Sequence, residues 1–421
     1  MINKIALIIF MLFVSLLAIS QKSDNDSTIV SRENALNIFI DCRGCDQVYF
    51  KEHFTIVNYV RDRKESDVHI LITKMRTGGG GTEFSLQFLG RNKYKSLIDT
   101  IVFSLPSDYT DEEERVSLLK NIQLGLVPYI LKTEFADKLV LTINSNLETI
   151  TEKDPWKNWV FRLSANGWGQ VQKSYTDYNI YSALSITKVT ADIKIESRIS
   201  SDYEESKVRL YENDTLVYSS DTYQRSYRFS NLITKSIGEH FGVGGFFNMR
   251  TSTYQNLEMK VNISPAIEYN VFKYSQASSK QLRFLYSVGY IHFNYIDTTI
   301  YNKTNEGLFN QELRIMFKYV TDWGTVEASV YGSNYLNDFS LFNFGSFVGT
   351  DVRLFKGLSF NFRGGISIPR DQITLKKGNT TAEDALTRQH EMQTDYNLWI
   401  SGGLSYTFGS IYNNVVNPRF N

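Results

Sequence analysis

The chain has little proline, almost no cysteine and no net charge: 6 Pro, 2 Cys, and 45 basic against 45 acidic residues in 421. Each shortage excludes something. Balanced charge removes the electrostatic basis for a nucleic-acid partner or a polybasic membrane anchor. Two cysteines cannot make a disulfide framework and cannot by themselves hold a zinc ion. Scarce proline leaves strands uninterrupted, because proline removes a ladder donor. Beyond residue 20 no stretch reaches the ~18 continuous apolar residues of a membrane helix, so any crossing must be made by strands. The histidines, His53, His69, His240, His292 and His390, are scattered, and none sits in an H-E-x-x-H arrangement. No cofactor or metal is expected from such a sequence, and no catalytic residue stands out.

What is abundant is aromatic: 26 Tyr and 28 Phe, which suit long strands and interfacial girdles. Met1 to Ser20 carries Lys4, an apolar run from Ile5 to Ile19 and small residues before Gln21, the marks of a cleavable signal peptide. Residues 21–33 are polar and expected to be disordered. A compact α/β domain is expected over 34–132, in the order β-α-β-β-β-β-α. Its strands are read at Asn37 to Ile40, Thr55 to Val60, Val68 to Lys74, Thr82 to Leu89 and Leu97 to Leu105. A short helix starts on Asp46, which can cap it. A second follows the capping box Thr110/Glu113, with Val116, Leu119, Ile122 and Leu126 at helical spacing. The R-T-G-G-G-G-T segment has no Lys-Ser/Thr after its glycines and reads as a hairpin rather than a phosphate loop.

Cys42 and Cys45, in D-C-R-G-C-D, lie where a strand passes to a helix. In an oxidising compartment a static disulfide is the simpler reading, with redox exchange the alternative.

After a linker over 133–157, period-two alternation dominates from 158 to 410, in about twelve strand-length segments. Leu313, Ile315, Phe317 and Tyr319 oppose Glu312, Arg314 and Lys318. Collected over all segments, the polar side carries Arg162, Glu196, Arg198, Glu258, Lys260, Glu268, Arg283, Glu312, Arg314, Lys318, Glu327 and Arg363. The expected fold class is mainly β: a twelve-stranded antiparallel transmembrane β-barrel preceded by the small α/β domain, with these residues lining the lumen. Near-balanced signs there imply mutual pairing more than an ion-selective pore. Short connections (Thr187 to Asp192, Ile237 to Phe241, Gln276 to Gln281, Thr321 to Gly324, Phe355 to Gly357) alternate with longer polar ones (Ser201 to Asp221, Asp297 to Gly307, Arg370 to Asp395). Outer-membrane barrels put short turns in the periplasm, so the α/β domain and a tail over 411–421 are expected there.

The last strand, Tyr396 to Phe408, ends in Ser401, Gly403, Tyr406 and Phe408 and resembles the terminal-strand signal by which bacterial outer-membrane barrels are recognised for insertion. Together, V-N-Y-V-R-D-R, G-G-G-G-T-E-F, D-P-W-K-N-W-V-F-R and the ending S-Y-T-F-G-S-I-Y-N-N-V-V-N-P-R-F resemble a family of outer-membrane β-barrel proteins of the Bacteroidota. That resemblance implies the compartment and the two-part plan and supplies no catalytic residues. Outer-membrane phospholipase barrels carry a Ser one residue beyond their His, whereas His292 is followed by Phe293 and Asn294. The expected partners are outer-membrane lipid, the barrel-assembly machinery during insertion and a periplasmic protein, with no nucleic acid. The expected role is structural or in envelope assembly, with a narrow solute channel as the alternative and a barrel enzyme behind both.

Overall fold

The computed structural model describes residues 34–78, 80–139, 155–378 and 390–409. The expected signal peptide, the stretch 21–33, most of the linker and the tail 411–421 lie outside the described residues. The N-terminal domain contains β1 (Asn37–Asp41), α1 (Gln47–His53), β2 (Asn58–Tyr59), β3 (Val68–Arg76), β4 (Thr82–Gly90), β5 (Ile98–Leu105) and α2 (Asp111–Ile130). The order is the one the alternation implies, although the second strand shrinks to two residues. Its sheet runs β2-β1-β3-β4-β5, parallel at β1 and antiparallel beyond β3.

Asp46 caps α1 by accepting from Tyr49 N, and Thr110 with Glu113 closes a full capping box on α2, leaving few orphan donors at either start. On α2 the buried stripe is Leu118, Leu119, Ile122, Leu126 and Tyr129, while Val116 stays exposed. Gly125 is required where α2 crosses β4: a Cβ there would lie 2.0 Å from the Phe88 ring. The helices cover one face of the sheet, where Ile38, Ile70, Phe84, Leu86 and Phe88 are completely buried. Burial of this apolar side stabilises the domain.

Twelve strands of 10 to 23 residues follow: β6 (Trp159–Val171), β7 (Tyr175–Val189), β8 (Ile193–Glu212), β9 (Thr215–Ile237), β10 (Phe241–Ser252), β11 (Leu257–Asn270), β12 (Lys280–Tyr295), β13 (Asn305–Thr321), β14 (Gly324–Tyr335), β15 (Asp338–Phe355), β16 (Leu358–Pro369) and β17 (Asn397–Tyr406). Every ladder joins sequence neighbours antiparallel, an up-and-down order. Period-two alternation then separates two faces across the whole sheet. One row on the outward face reads Val243, Ile267, Tyr286, Leu313, Gly332, Phe344 and Ile368 on successive strands. The matching inward row reads Glu268, Leu285, Arg314, Tyr331, Gly345, Ser367 and Asn397.

The sheet is strongly curled into a barrel. Laid flat, twelve strands would span roughly 50 Å. Yet the one small domain bonds to β6 (Arg162 to Gly80 O, 3.3 Å), to β7 (Thr187 to Gly78 O, 2.6 Å) and to the residue run after β17 (Arg61 to Gly409 O, 3.1 Å). Its radius of gyration is of order 13 Å, so the two ends of the sheet must come round to meet it. β6 and β17 are nevertheless the two ends of the hydrogen-bonded order, with no ladder between them among the described residues. Leu163 on β6 and Leu404 on β17 are accordingly 81% and 70% exposed.

One expected loop is not a loop. Ser201 to Asp221 forms the outer halves of β8 and β9, joined through Asn213 and Asp214, both at positive φ (46° and 60°). Two consecutive left-handed residues make the hairpin turn whose twist matches the strands. These strands continue beyond β10, whose last partner on β9 is Ser226, and stand out as a wing at the end away from the α/β domain.

Candidate functional site

The short turns gather at one end of the barrel, and the α/β domain is docked against them by charge. Arg353 on β15 forks onto Asp41 at 2.5 and 2.6 Å, and Asp41 also meets His69 at 3.2 Å. Asp322, in the turn between β13 and β14, accepts from Arg63 (2.5 Å) and Arg91 (2.8 Å). Arg43 pairs with Asp351 at 2.5 Å, Lys356 with Glu65, and Asp62 accepts from Gly357 N at 3.2 Å. Bidentate Arg-carboxylate geometry fixes orientation as well as distance, so the domain has one seating on the barrel. Burial would raise the Asp41 carboxyl, but hydrogen bonds from His69 and Arg353 outweigh it and hold the group below its ordinary value. Burial pushes the His69 imidazole down against the opposing pull of Asp41, so at neutral pH it sits uncharged.

Among the cavities between domain and barrel, two are large. One, of about 500 Å³, holds the glycine hairpin after β3 against Arg162, Thr187, Glu196 and Arg198. The other, of about 570 Å³, lies between Leu71, Thr73 and Lys74 and the barrel residues Lys318, Glu327 and Asp351. Cys42, in a disulfide with Cys45 whose Cα atom is 5.7 Å from its own, lines this second cavity.

The inward polar residues pair along the wall. Glu196 meets Lys194 (3.1 Å), Glu268 meets Arg283 (3.5 Å), Glu312 meets Arg314 (2.8 Å) and Arg363 meets Asp351 (3.7 Å), each partner on the same or an adjacent strand or hairpin. Arg198 donates to Tyr181 Oη and Ser185 Oγ, Lys318 stands opposite Glu327 in register, and the Lys260 ammonium lies 5.0 Å from the Phe293 ring centre. Arg162 is engaged by the Gly80 carbonyl. Glu258 departs from the expected set. It is the extra residue of a bulge between Leu257 and Met259 and is exposed, because the bulge resets the alternation before Lys260. At the terminal strand, Ser401 and Gly403 share the inward face with Arg363 and Asn361, while Tyr406 stacks on Phe408 at 5.6 Å on the other side.

The opposite end is roofed. The connection after β16 turns inward, burying Ile373 against Leu257, Phe293, Tyr295 and Tyr335. It is strapped down by Asn256 Nδ2 to Thr374 O (3.1 Å), Ile300 N to Leu375 O (2.9 Å), Lys377 N to Thr298 O (2.8 Å) and Glu391 N to Tyr254 O (3.0 Å). The residues on each side of 379–389 thus reach the β10–β11 turn, about half-way round the barrel. Sequence alone read this connection as a solvated external loop.

The docking residues Asp41, His69, Arg91, Asp322 and Arg353 were not singled out by the sequence. The signal available was the charge run Arg61 to Glu65 together with the charged short turns, a complementarity visible only once the turns are known to share an end. Among the described residues, His69 is the one histidine that touches a carboxylate; His53 and His240 bond backbone carbonyls. Among the described residues there is no cluster of three or more His, Cys, Asp or Glu suited to a metal.

No protein-family model matches the chain, and no curated protein does. Among solved structures, the translocator domain of the autotransporter NalP from Neisseria meningitidis is similar over 70% of this chain and 98% of its own, with 11% identity and a TM-score of 0.23.

Proposed function

We propose that this is an outer-membrane protein whose barrel anchors the α/β domain at the periplasmic face, where the domain docks a protein partner in a structural or envelope-assembly role without catalysis. The observation that carries this reading is the inverted polarity of the barrel. Isoleucine, leucine and aromatic side chains point outward and remain exposed, while Arg, Lys and Glu point inward and pair. Such a surface suits hydrocarbon and is costly in water. The expected signal peptide, the short turns beside the domain and the resemblance to Bacteroidota barrels support export to a Gram-negative outer membrane, with insertion through the assembly machinery. The surface left for a partner includes the edge strand β5, which ends the domain's sheet and exposes Ile98 and Val102.

The two large cavities beneath the domain, each lined in part by charged side chains, favour a second reading, a narrow solute channel occluded by the domain. Planar-bilayer conductance of the full chain and of a chain starting near Pro155 separates the two. Silence in both supports the anchored docking protein; steady current that rises when the domain is removed supports the channel. A full chain that fractionates as soluble when expressed with its leader would sink both.

A further inference from the structure

At the domain end, beside the last strand, Arg61, Asp62, Lys64, Lys356, Ser359 and Thr407 line a notch of about 130 Å³. Most of its charges are already matched: Arg63 by Asp322, Arg353 by Asp41 and Lys356 by Glu65. The Asp62 carboxylate caps Lys64 N at 2.9 Å and accepts from Gly357 N. Among the described residues two cations, Arg61 and Lys64, have no carboxylate partner, against the one carboxylate of Asp62, so the notch keeps a surplus of one positive charge. Arg61 has one terminal nitrogen on the Gly409 carbonyl, and its Nε is buried with no hydrogen-bond partner among the described residues. Lys64 is exposed and has no carboxylate partner among the described residues.

Directly beside the notch the outward face turns aromatic. Phe355 lines it at 59% exposure, and Tyr406 and Phe408 adjoin it at 61% and 76%. A surplus of positive charge at strand ends, bordered by exposed aromatics, matches the level of a bilayer where phosphates and acyl chains meet.

We infer that this notch binds the phosphate of an anionic phospholipid headgroup, with the acyl chains lying along Phe355, Tyr406 and Phe408. The assignment rests on the membrane reading above and adds a ligand to it. The phosphate oxygens supply acceptors to Lys64 and to the terminal nitrogen of Arg61 that does not bond Gly409. A free phosphate offers the same oxygens but gains nothing from the aromatic border.

The test uses the full chain reconstituted in phosphatidylcholine vesicles containing phosphatidylglycerol, extracted gently and examined by native mass spectrometry for retained lipid. Heat-dependent gel migration reports insertion separately. Wild type should retain phosphatidylglycerol over phosphatidylcholine, and the double variant Arg61→Gln/Lys64→Gln should lose that preference by roughly ten- to thirtyfold, as expected for two cations near a headgroup. The far-end control Lys376→Gln/Lys377→Gln should keep it. Equal retention in wild type and the notch variant overturns the site while leaving insertion intact. Inorganic phosphate displacing the lipid at comparable concentration overturns the lipid assignment in favour of a free anion. A chain that never enters the vesicles removes the membrane reading and this site together.

Discussion

In the α/β domain Phe84, Leu86 and Phe88 have no exposed surface; in the barrel Leu163, Ile263 and Leu404 are exposed while Glu312 and Arg314 are turned in. Both regions obey the same period of two, and both place like with like on one face of a sheet. They differ in which side is closed off. The domain covers its apolar face with α1 and α2, and the barrel covers its polar face by curling. On the membrane reading proposed above, the chain needs two solvents, and the salt bridges at the docking surface mark where one gives way to the other.

That contrast can be broken most severely inside the domain. Phe84→Ala should destabilise the domain by about 3–5 kcal/mol, since the cavity lies between α2 and β4. Limited proteolysis of the full chain should then cut the domain readily while the barrel fragment survives intact. Loss of both regions together would show that they fold as one unit.

Next in size, Leu313→Arg on the outward face should cost roughly 2–4 kcal/mol of barrel stability in vesicles, read by urea unfolding. Leu313→Ala should cost far less, because the exposed, outward-facing side chain leaves no packed cavity behind. Equal effects from the two substitutions would point to a protein partner, not lipid, on that face.

The docking surface should respond more mildly, with a sign set by its titrating groups. The depressed imidazole of His69 means the unfolded chain binds more protons below the ordinary histidine pKa of about 6.5. The stability of the folded domain is therefore fully present above that pH and weakens as pH falls below it toward the depressed value. Asp41, whose carboxyl is held low, contributes above about pH 4 and is lost below. Hydrogen exchange of the Asp41 region between pH 7 and 5 should show loosening that His69→Gln removes. At pH 7, Asp41→Asn should weaken docking by about 1–3 kcal/mol, leaving Arg353 without its carboxylate.

The smallest effect is at a helix start. Thr110→Ala should cost about 1 kcal/mol by opening the capping box, a change confined to the domain's own melting.

Much of this architecture was legible because local chemistry repeats. The alternation through Leu313 to Tyr319, the Asp46 and Thr110 caps and the glycine hairpin each declare an element within a few residues. The wing escaped because its strands lack the apolar alternation of the wall; Asp202, Glu204, Glu205 and Lys207 look like a solvated loop although they are fully laddered. Glu258 was misplaced by a single inserted residue, which no pattern count reveals. Asp322 with Arg63, and Asp41 with Arg353, were invisible because partners hundreds of residues apart leave no spacing to read.

That separation also bears on the order of assembly. Each ladder of the barrel can zip from its predecessor, a local and therefore fast step. The Asp41–Arg353 clasp instead spans 312 positions, and its second half does not exist until β15 is in place. A domain that folds early must wait with Arg63 and Arg91 lacking Asp322, and with Asp41 held by His69 alone, until the far strands arrive. Closure of the clasp thus reports completion: it forms only on a barrel whose late turns have come round to meet the domain.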